Sequence, residues 1–367
     1  MDEKTGPLRR CIVVIPALDP DEALPAYAAA LLEQGAEQVI AVDDGSAESC
    51  CPTFQALEAL PGCTVLRHER NMGKGRALRD AFACIAGQSR WAGCAAVTAD
   101  ADGQHSVEDV IAVGQAALEE GGRLVLGVRD LTLPQVPAKS KAGNRLTSWA
   151  FRTLYGPRLR DTQTGLRGIP WDLLDWCRGI KGERYEYEMN MLIRAARERL
   201  ELCQVPIHTI YYNNNAGTHL HPVRDTWRVT VSLVSGLGWY TASSALSAAA
   251  DVLTFWLCSA VIFRPLSELA CYWWSTMSAR ALSSALNYTL NRRYVFGSSG
   301  GAALLRYYCL WGGQLLCSYL LLLALNWLLP GIWPTVNKAL GDVILALCSY
   351  QIQMHWVFRE EGAHGAG

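Results

Sequence analysis

Two carboxylates, Asp100 and Asp102, stand one residue apart where an apolar run, Cys94-Ala95-Ala96-Val97-Thr98-Ala99, gives way to polar residues. At i and i+2 their side chains share one side of an extended chain, and a turn there lets them converge on a cation. Hard oxygen ligands suit Mg²⁺ or Mn²⁺ and leave positions for phosphate oxygens, with Gln104 able to add a neutral oxygen. A bare acidic turn is the plain alternative for a pair this short. Neighbouring residues have to decide between them. Asp43 and Asp44 close a second apolar run, Gln38-Val39-Ile40-Ala41-Val42, and Arg129 closes a third, Leu124-Val125-Leu126-Gly127-Val128.

These runs read as strands in a strand–helix alternation. Cys11–Ala17 predicts a buried strand, and the segment from Pro20 to Gln34, closed by Gly35, an amphipathic helix. A strand at Gln38–Asp43 follows, then one at Thr64–Asn71, a helix from Gly73 to Gly87, and the two strands ending at the Asp100 pair and Arg129. Such alternation implies a mostly parallel α/β sheet, whose ligands gather at the carboxyl ends of the strands. The acidic residues and Arg129 all fall at those ends. Gly73-Lys74-Gly75 is no dinucleotide fingerprint, because the third glycine is missing, and no phosphate loop, because the earlier glycine is absent and Gly75 follows the lysine where Ser or Thr is needed.

The 367 residues favour two domains, and only 18% are charged against about 25% in ordinary globular chains. A net charge of −1 without a long basic run excludes a nucleic-acid binder held by phosphate neutralisation. The thirteen cysteines are scattered and odd in number, which supports neither a zinc site nor a disulfide scaffold. The first apolar run is too short for a signal peptide. The charge deficit lies in the second half: 229–263 contains only Asp251, and 307–337 contains no charge. About twenty apolar residues cross a bilayer, so four spans are expected at 242–263, 267–290, 304–328 and 335–357. Residues 222–241 are expected to lie along the interface as an amphipathic helix. Arg224, Arg228, Arg292, Arg293, Arg306 and Arg359 fall on one side and only Arg264 and Lys338 on the other, placing both termini and the first domain in the cytoplasm.

Four stretches in order, 15–22 (IPALDPDE), 42–46 (VDDGS), 71–77 (NMGKGRA) and 100–105 (DADGQH), resemble the GT-A glycosyltransferases of the dolichyl-phosphate mannose synthase type, in glycosyltransferase family 2. The likeness continues through 161–167 (DTQTGLR), 184–189 (RYEYEM) and 215–219 (NAGTH). The resemblance implies inverting transfer of a sugar from a nucleotide sugar, with UDP preferred and GDP open, to polyprenyl phosphate. It makes Asp102 and Gln104 metal ligands with Asp100 beside the nucleotide and metal, and Asp44 the reader of the base. Pro16, Asp19, Glu22, Asp43 and Lys74 fall along the nucleotide pocket; Asp19 stands where the family usually has asparagine. Arg129 and Arg145 are the candidates for donor and acceptor phosphates, since a guanidinium fork matches phosphate oxygens. Asp161 is expected either to orient the acceptor or sugar or to accept a proton. An acceptor phosphate that is already anionic makes a base dispensable. Glu186 and Glu188 are sugar-side candidates or solvated helix carboxylates. His219 and His221 face the lipid phosphate or are ordinary loop residues, and His68 and His208 are structural. A processive polysaccharide synthase is disfavoured by the lack of a Q-x-x-R-W motif, because Gln88-Ser89-Arg90-Trp91 is one residue short.

The second half contains a repeat: 291–296 (NRRYVF) matches 353–358 (QMHWVF), Tyr288 matches Tyr350, and Asn287 matches Ser349. A duplicated two-helix hairpin in parallel topology follows. This half resembles the GtrA-like four-helix membrane family, which implies a partnership with polyprenyl-phosphate glycosyltransferases and a suggested role in moving the lipid-linked sugar across the bilayer. Asp251, Arg280 and Asp342 are intramembrane ionisable residues, and Arg280 is expected to pair with one of the aspartates. Trp273, Trp274, Trp311, Trp327 and Trp333 fit interfacial belts. The expected architecture is thus an α/β GT-A, Rossmann-like cytoplasmic domain at 1–221, a junction at 222–241, an all-α four-helix transmembrane domain at 242–358 and a tail at 359–367. The expected activity is metal-dependent glycosyl transfer at the inner face of the plasma membrane for cell-envelope glycan modification. Translocation of the lipid-linked sugar as the main activity is the alternative, and homo-oligomerisation is left open.

Overall fold

In the computed structural model the described residues are 6–134, 136–208, 222–296, 303–332 and 334–358. The loop 215–219 with His219 and His221, Trp333, and the tail with Arg359 lie outside them. The chain forms two units, Met1–Leu233 and Val234–Gly367.

Within the first unit, β1 (Cys11–Ala17), β2 (Gln38–Asp43), β3 (Cys63–Arg67), β4 (Ala95–Thr98), β5 (Leu124–Arg129), β6 (Arg167–Ile169) and β7 (Leu202–Ile207) build one sheet in the order β3-β2-β1-β4-β6-β5-β7. The strands β1, β2, β4 and β5 are nearly continuous runs of buried Val, Ile, Leu and Ala, as strands covered on both faces must be. Six strands are parallel to their like neighbours, whereas β6 runs antiparallel between β4 and β5. Covering helices include α1 (Leu24–Glu33), α2 (Cys51–Glu58), α3 (Lys74–Ala86) and α4 (Val107–Glu119). After β5 comes α5 (Ala138–Tyr155), and β6 leads to α6 (Leu174–Arg178) and α7 (Glu186–Glu198). Chain order reverses between β1 and β4, with β2 and β3 on one side and β6 on the other. A crevice opens at such a switch point. The segments after β1, β2 and β4 all end there.

The second unit is built on α8 (Pro222–Leu257) from Val234 onward, with α9 (Glu268–Leu290), α10 (Ala303–Leu328) and α11 (Pro334–Ile352). The junction expected at 222–241 is not a separate interfacial helix: α8 passes through residues 241 and 242 without a break and continues as a π-helical turn to Ile262. No proline lies between Pro222 and Pro265 to stop it. Among the described residues one helix, Thr226–Ile262, is long and apolar enough to cross a membrane.

This unit is apolar outside and polar inside. Leu253, Trp256, Leu269, Trp273 and Trp327 stand exposed, while Ser243, Asn291, Ser349 and Gln353 are buried. Asn291 Nδ2 donates to Gln353 Oε1 at 3.1 Å, and Asn291 accepts from Ser243 Oγ. These two residues are equivalent positions of the sequence repeat, 62 residues apart. The aromatic contacts repeat the relation: Phe296 stacks on its equivalent Phe358 at 4.9 Å, and Tyr288–Phe358 at 5.7 Å mirrors Phe296–Tyr350 at 5.6 Å. Each half also ends alike, in a π-helical turn at Asn291–Phe296 and at Gln353–Val357. Equivalent residues therefore meet across a pseudo-twofold axis. Two such pairs, at successive levels of the helices, place that axis along them.

Candidate active site

Five loops converge at the carboxyl ends of β1, β2 and β4. Asp19, after β1, has a left-handed backbone (φ 45°), which Asp and Asn tolerate better than other side chains. Its Oδ1 accepts the Ala47 N–H at 2.7 Å, and its own N–H donates to Ser46 Oγ at 3.0 Å. Either an Asn or an Asp oxygen makes the first bond, which explains why the departure from asparagine is tolerated. Asp43 accepts from the Ser46 N–H at 2.9 Å and pairs with Arg67 at 3.2 Å. Asp44 is buried, and its two oxygens accept the Met72 N–H (2.8 Å), the Gly73 N–H (2.7 Å) and His68 Nδ1 (2.8 Å). His68 also reaches Asp80 at 3.2 Å. Asp44 thus organises the 71–73 loop, and Gly73 turns it with a φ of 103° that L side chains rarely adopt. Pro16 lies on β1 opposite Val42, and Glu22 is exposed ahead of α1.

The densest charge lies one step deeper. Lys74, the first residue of α3, sits between Asp100 Oδ1 at 2.6 Å and Glu188 Oε1 at 3.0 Å. Burial alone would lower the Lys74 ammonium, but Asp100 and Glu188 outweigh it and hold it above its usual value. Burial alone would likewise raise Asp100; the Lys74 charge, with His105 and Arg129 behind it, keeps it below the usual carboxylate range. Burial lowers His105, which accepts the Asp100 N–H on Nδ1 at 3.1 Å as a neutral imidazole does. Gly165 closes the cluster, since a Cβ there would run into the Asp100 carboxylate and Lys74 Nζ.

Asp102 is built differently. Its Oδ1 accepts the Gln104 N–H at 3.1 Å, and its other oxygen accepts no bond among the described residues. Burial, then the Asp100 charge, pushes its carboxyl up, a field that a cation relieves. Gly103 beside it faces open space. Among the described residues no three His, Cys, Asp or Glu side chains gather as a ready-made metal cage. Mg²⁺ or Mn²⁺ binds through one or two carboxylates and is completed by substrate phosphates and water. Asp102, Asp100 and the Gln104 side chain are the residues present to hold it.

Asp161 and Arg129 were expected at the site separately; the structure pairs them. Arg129 Nε and Nη2 donate to Asp161 Oδ2 and Oδ1 at 2.6 and 3.1 Å, and Gln163 N–H adds a third bond at 2.9 Å. Asp161 is fully buried. A carboxylate so committed aims a guanidinium and is poorly placed as a base. Asn144 of α5 fixes this segment, donating to Arg160 O at 2.8 Å and accepting the Thr162 N–H at 3.1 Å. Arg145, the next residue, stands exposed on α5 with Leu146 and Trp149 and is not drawn into the cluster.

Sequence reasoning missed two supports and left a third undecided. Arg167 is buried, with Nη1 on Glu188 O at 2.9 Å and Nε on Thr164 O at 3.2 Å, and so ties α7 to the loop before β6. Thr98, at the end of β4, donates to Gly165 O at 2.6 Å and accepts the Arg167 N–H at 3.1 Å. Glu188 was one of two carboxylates considered on α7, and it is the one that meets Lys74, while Glu186 turns back to the Glu183 and Arg184 amides. Only the ion pair across 114 residues distinguishes them.

A strand-end carboxylate pair at the switch point of a mixed α/β sheet, flanked by a buried lysine and an aimed arginine, is an arrangement for handling a phosphorylated donor. Residues 12–170 match glycosyl transferase family 2, and residues 239–358 match the GtrA/DPMS transmembrane domain. The chain belongs to glycosyltransferase family 2: it is a glycosyltransferase joined to a GtrA/DPMS membrane domain. An uncharacterized protein of Methanocaldococcus jannaschii is 30% identical over 214 residues, 57% of this chain and 85% of that relative. The UDP-N-acetylglucosamine–dolichyl-phosphate N-acetylglucosaminyltransferase of Methanococcus voltae is 28% identical over 231 residues, 57% of this chain and 89% of the relative. Among solved structures, glucosyl-3-phosphoglycerate synthase from Mycobacterium tuberculosis, in complex with Mn²⁺, UDP and glucosyl-3-phosphoglycerate, is similar with a TM-score of 0.47 and 20% identity. The match covers 61% of this chain and 78% of that one.

Proposed function

We propose that the protein transfers a sugar from a nucleotide diphosphate sugar to a polyprenyl phosphate, inverting the anomeric carbon. The observation that carries this reading is the cluster of Lys74, Asp100, Asp102 and the Arg129–Asp161 pair at the switch point, in a chain that continues into a membrane domain. The name of the Methanococcus voltae relative gives a UDP-sugar donor and a dolichyl phosphate acceptor, which favours UDP over GDP here.

In this reading Arg129, aimed by Asp161, binds phosphate oxygens at the end of β5. Lys74 fixes the angle of Asp100 and, through Glu188, ties the loop after β4 to α7. Asp102, with Asp100 and Gln104, holds Mg²⁺ or Mn²⁺, which when bound offsets the charge on the leaving nucleoside diphosphate. The acceptor phosphate is its own nucleophile, so positioning and charge carry the catalysis. Arg145, beside exposed Leu146 and Trp149, offers a mixed cationic and apolar face to an amphiphilic acceptor. We assign transfer to residues 1–221 on the cytoplasmic side and membrane spanning, in four passes, to 242–358.

The test is incubation of the purified full chain with Mg²⁺ or Mn²⁺, polyprenyl phosphate and a panel of nucleotide sugars, read by mass spectrometry. A lipid-phosphate sugar that vanishes under chelation is the expected result. No product from any donor overturns the reading.

A further inference from the structure

Sequence alone leaves His68 as a structural residue; its surroundings give it a more particular task. It follows β3 directly, and its N–H donates to Asp43 O at 2.8 Å, which carries the pairing with β2 one residue further. The side chain is 9% exposed and lies between carboxylates from two different elements. Nδ1 stands 2.8 Å from Asp44 Oδ1, just past β2, and Nε2 stands 3.2 Å from Asp80 Oδ2 on α3. An ionised carboxylate only accepts, which places a proton on Nδ1. The two contacts are unequal. Nε2 is buried without an aligned hydrogen bond among the described residues, and Asp80 Oδ2 already accepts from Arg76 Nε at 2.7 Å.

Asp44 depends on the first contact. Its Oδ1 takes His68 and the Met72 N–H, and its Oδ2 takes the Gly73 N–H. A carboxylate offers about four acceptor positions, so three filled ones leave a single position and fix its direction. Nothing intrinsic to an aspartate fixes that angle, because its terminal torsion is broad. The Met72 and Gly73 amides hold the carboxylate from the loop side. His68 holds it from the end of β3, which is hydrogen-bonded to β2. The same loop runs straight into Lys74, whose Nζ meets Asp100 and Glu188. Without the imidazole, Asp44 is held from one side only and turns more freely, and the loop that leans on it turns with it.

We infer that His68 is a positioning residue of the donor site. Through Nδ1 it fixes the angle of the Asp44 carboxylate, and with it both the 71–73 loop and the one acceptor position that Asp44 keeps for a nucleotide. This role rests on the donor site proposed above. It belongs to the Asp44 side of the imidazole, and the Asp80 side is secondary.

Asparagine and glutamine separate the two sides, because an Asn amide nitrogen falls near the position of Nδ1 and a Gln amide nitrogen near that of Nε2. The full chain and its His68→Asn and His68→Gln variants are titrated with UDP and with GDP by calorimetry in the presence of Mg²⁺. Whichever nucleotide binds the unaltered chain should bind His68→Gln about tenfold more weakly, the worth of one hydrogen bond to a charged group. His68→Asn, which keeps that bond, should stay within about threefold of the unaltered chain. With a nucleotide sugar that supports transfer, His68→Gln should raise the donor KM and leave kcat and the acceptor KM within about twofold. Unweakened binding in His68→Gln overturns the inference, and so does an equal or greater loss in His68→Asn, which a merely structural histidine would give. A fall in kcat at unchanged donor KM overturns it as well. Each of these results leaves the donor site standing, whereas failure of both nucleotides to bind the unaltered chain defeats the donor site and this role together.

Discussion

Asp161→Asn removes the charge from a carboxylate that is fully buried and receives both arms of Arg129 together with the Gln163 amide. Breaking a buried ion pair from one side costs about 3–5 kcal/mol, because the remaining charge loses its partner. The Arg129 side chain is 19% exposed and recovers part of its solvation, so about 2–4 kcal/mol is the better figure here. A domain of this size loses about 2–4 °C in Tm per kcal/mol, which predicts a fall of about 5–15 °C in the transition of the catalytic unit. Arg129→Gln should cost a similar amount, and the double variant much less than the sum, with a coupling of about 2 kcal/mol. The assay is a double-mutant cycle by thermal unfolding of the full chain, with transfer kinetics alongside. Because Asp161 acts through Arg129, Asp161→Asn should raise KM for a phosphorylated substrate and leave the shape of the pH profile unchanged. Additive energies, or the loss of one limb of the pH profile in Asp161→Asn, would refute the pairing role and restore Asp161 as a proton acceptor.

Asp102→Asn should cut kcat/KM at least about a hundredfold, as loss of a transition-state charge contact does, and abolish any Mg²⁺-dependent gain in nucleotide affinity measured by calorimetry. Gly165→Ala pushes a methyl into the Asp100–Lys74 pair; it should cost about 1–3 kcal/mol by overpacking and lower transfer, read by unfolding and initial rates. In the second unit, Asn291→Leu removes the donor to Gln353 Oε1 and one of the two acceptors of Ser243 Oγ. It should destabilise the unit by about 1–3 kcal/mol, and adding Gln353→Leu should deepen the loss, because Tyr240 and Ser349 then lose the Gln353 amide, as judged by detergent-resistance melts.

The strand ends were readable because burial on both faces writes a continuous apolar run, and a run that stops in Asp43-Asp44, Asp100 or Arg129 marks a crevice. The repeat was readable from 291–296 and 353–358, and the structure turns it into direct contacts between equivalent residues. Strand β6 was not readable: three residues, Arg167–Ile169, give no periodicity, and its antiparallel direction is set by pairing to β4 and β5. Pairings across long separations were equally hidden. Nothing local marks Lys74 as the partner of Glu188, or Arg129 as the partner of Asp161, and an exposed Arg145 looks in sequence like a buried one.

The contacts between Asn291 and Gln353 and between Phe296 and Phe358 are those of an isologous interface, in which each half presents the same patch to the other. Two separate copies of one hairpin would satisfy such an interface equally well, but every off-axis position would then carry the same residue twice. Covalent linkage of the halves lifts that restriction. A pair of identical hairpins would have to place two arginines or two aspartates where this chain has Arg280 and Asp342, and like charges would repel across the axis. Joining the halves in one polypeptide lets a symmetric scaffold acquire a direction.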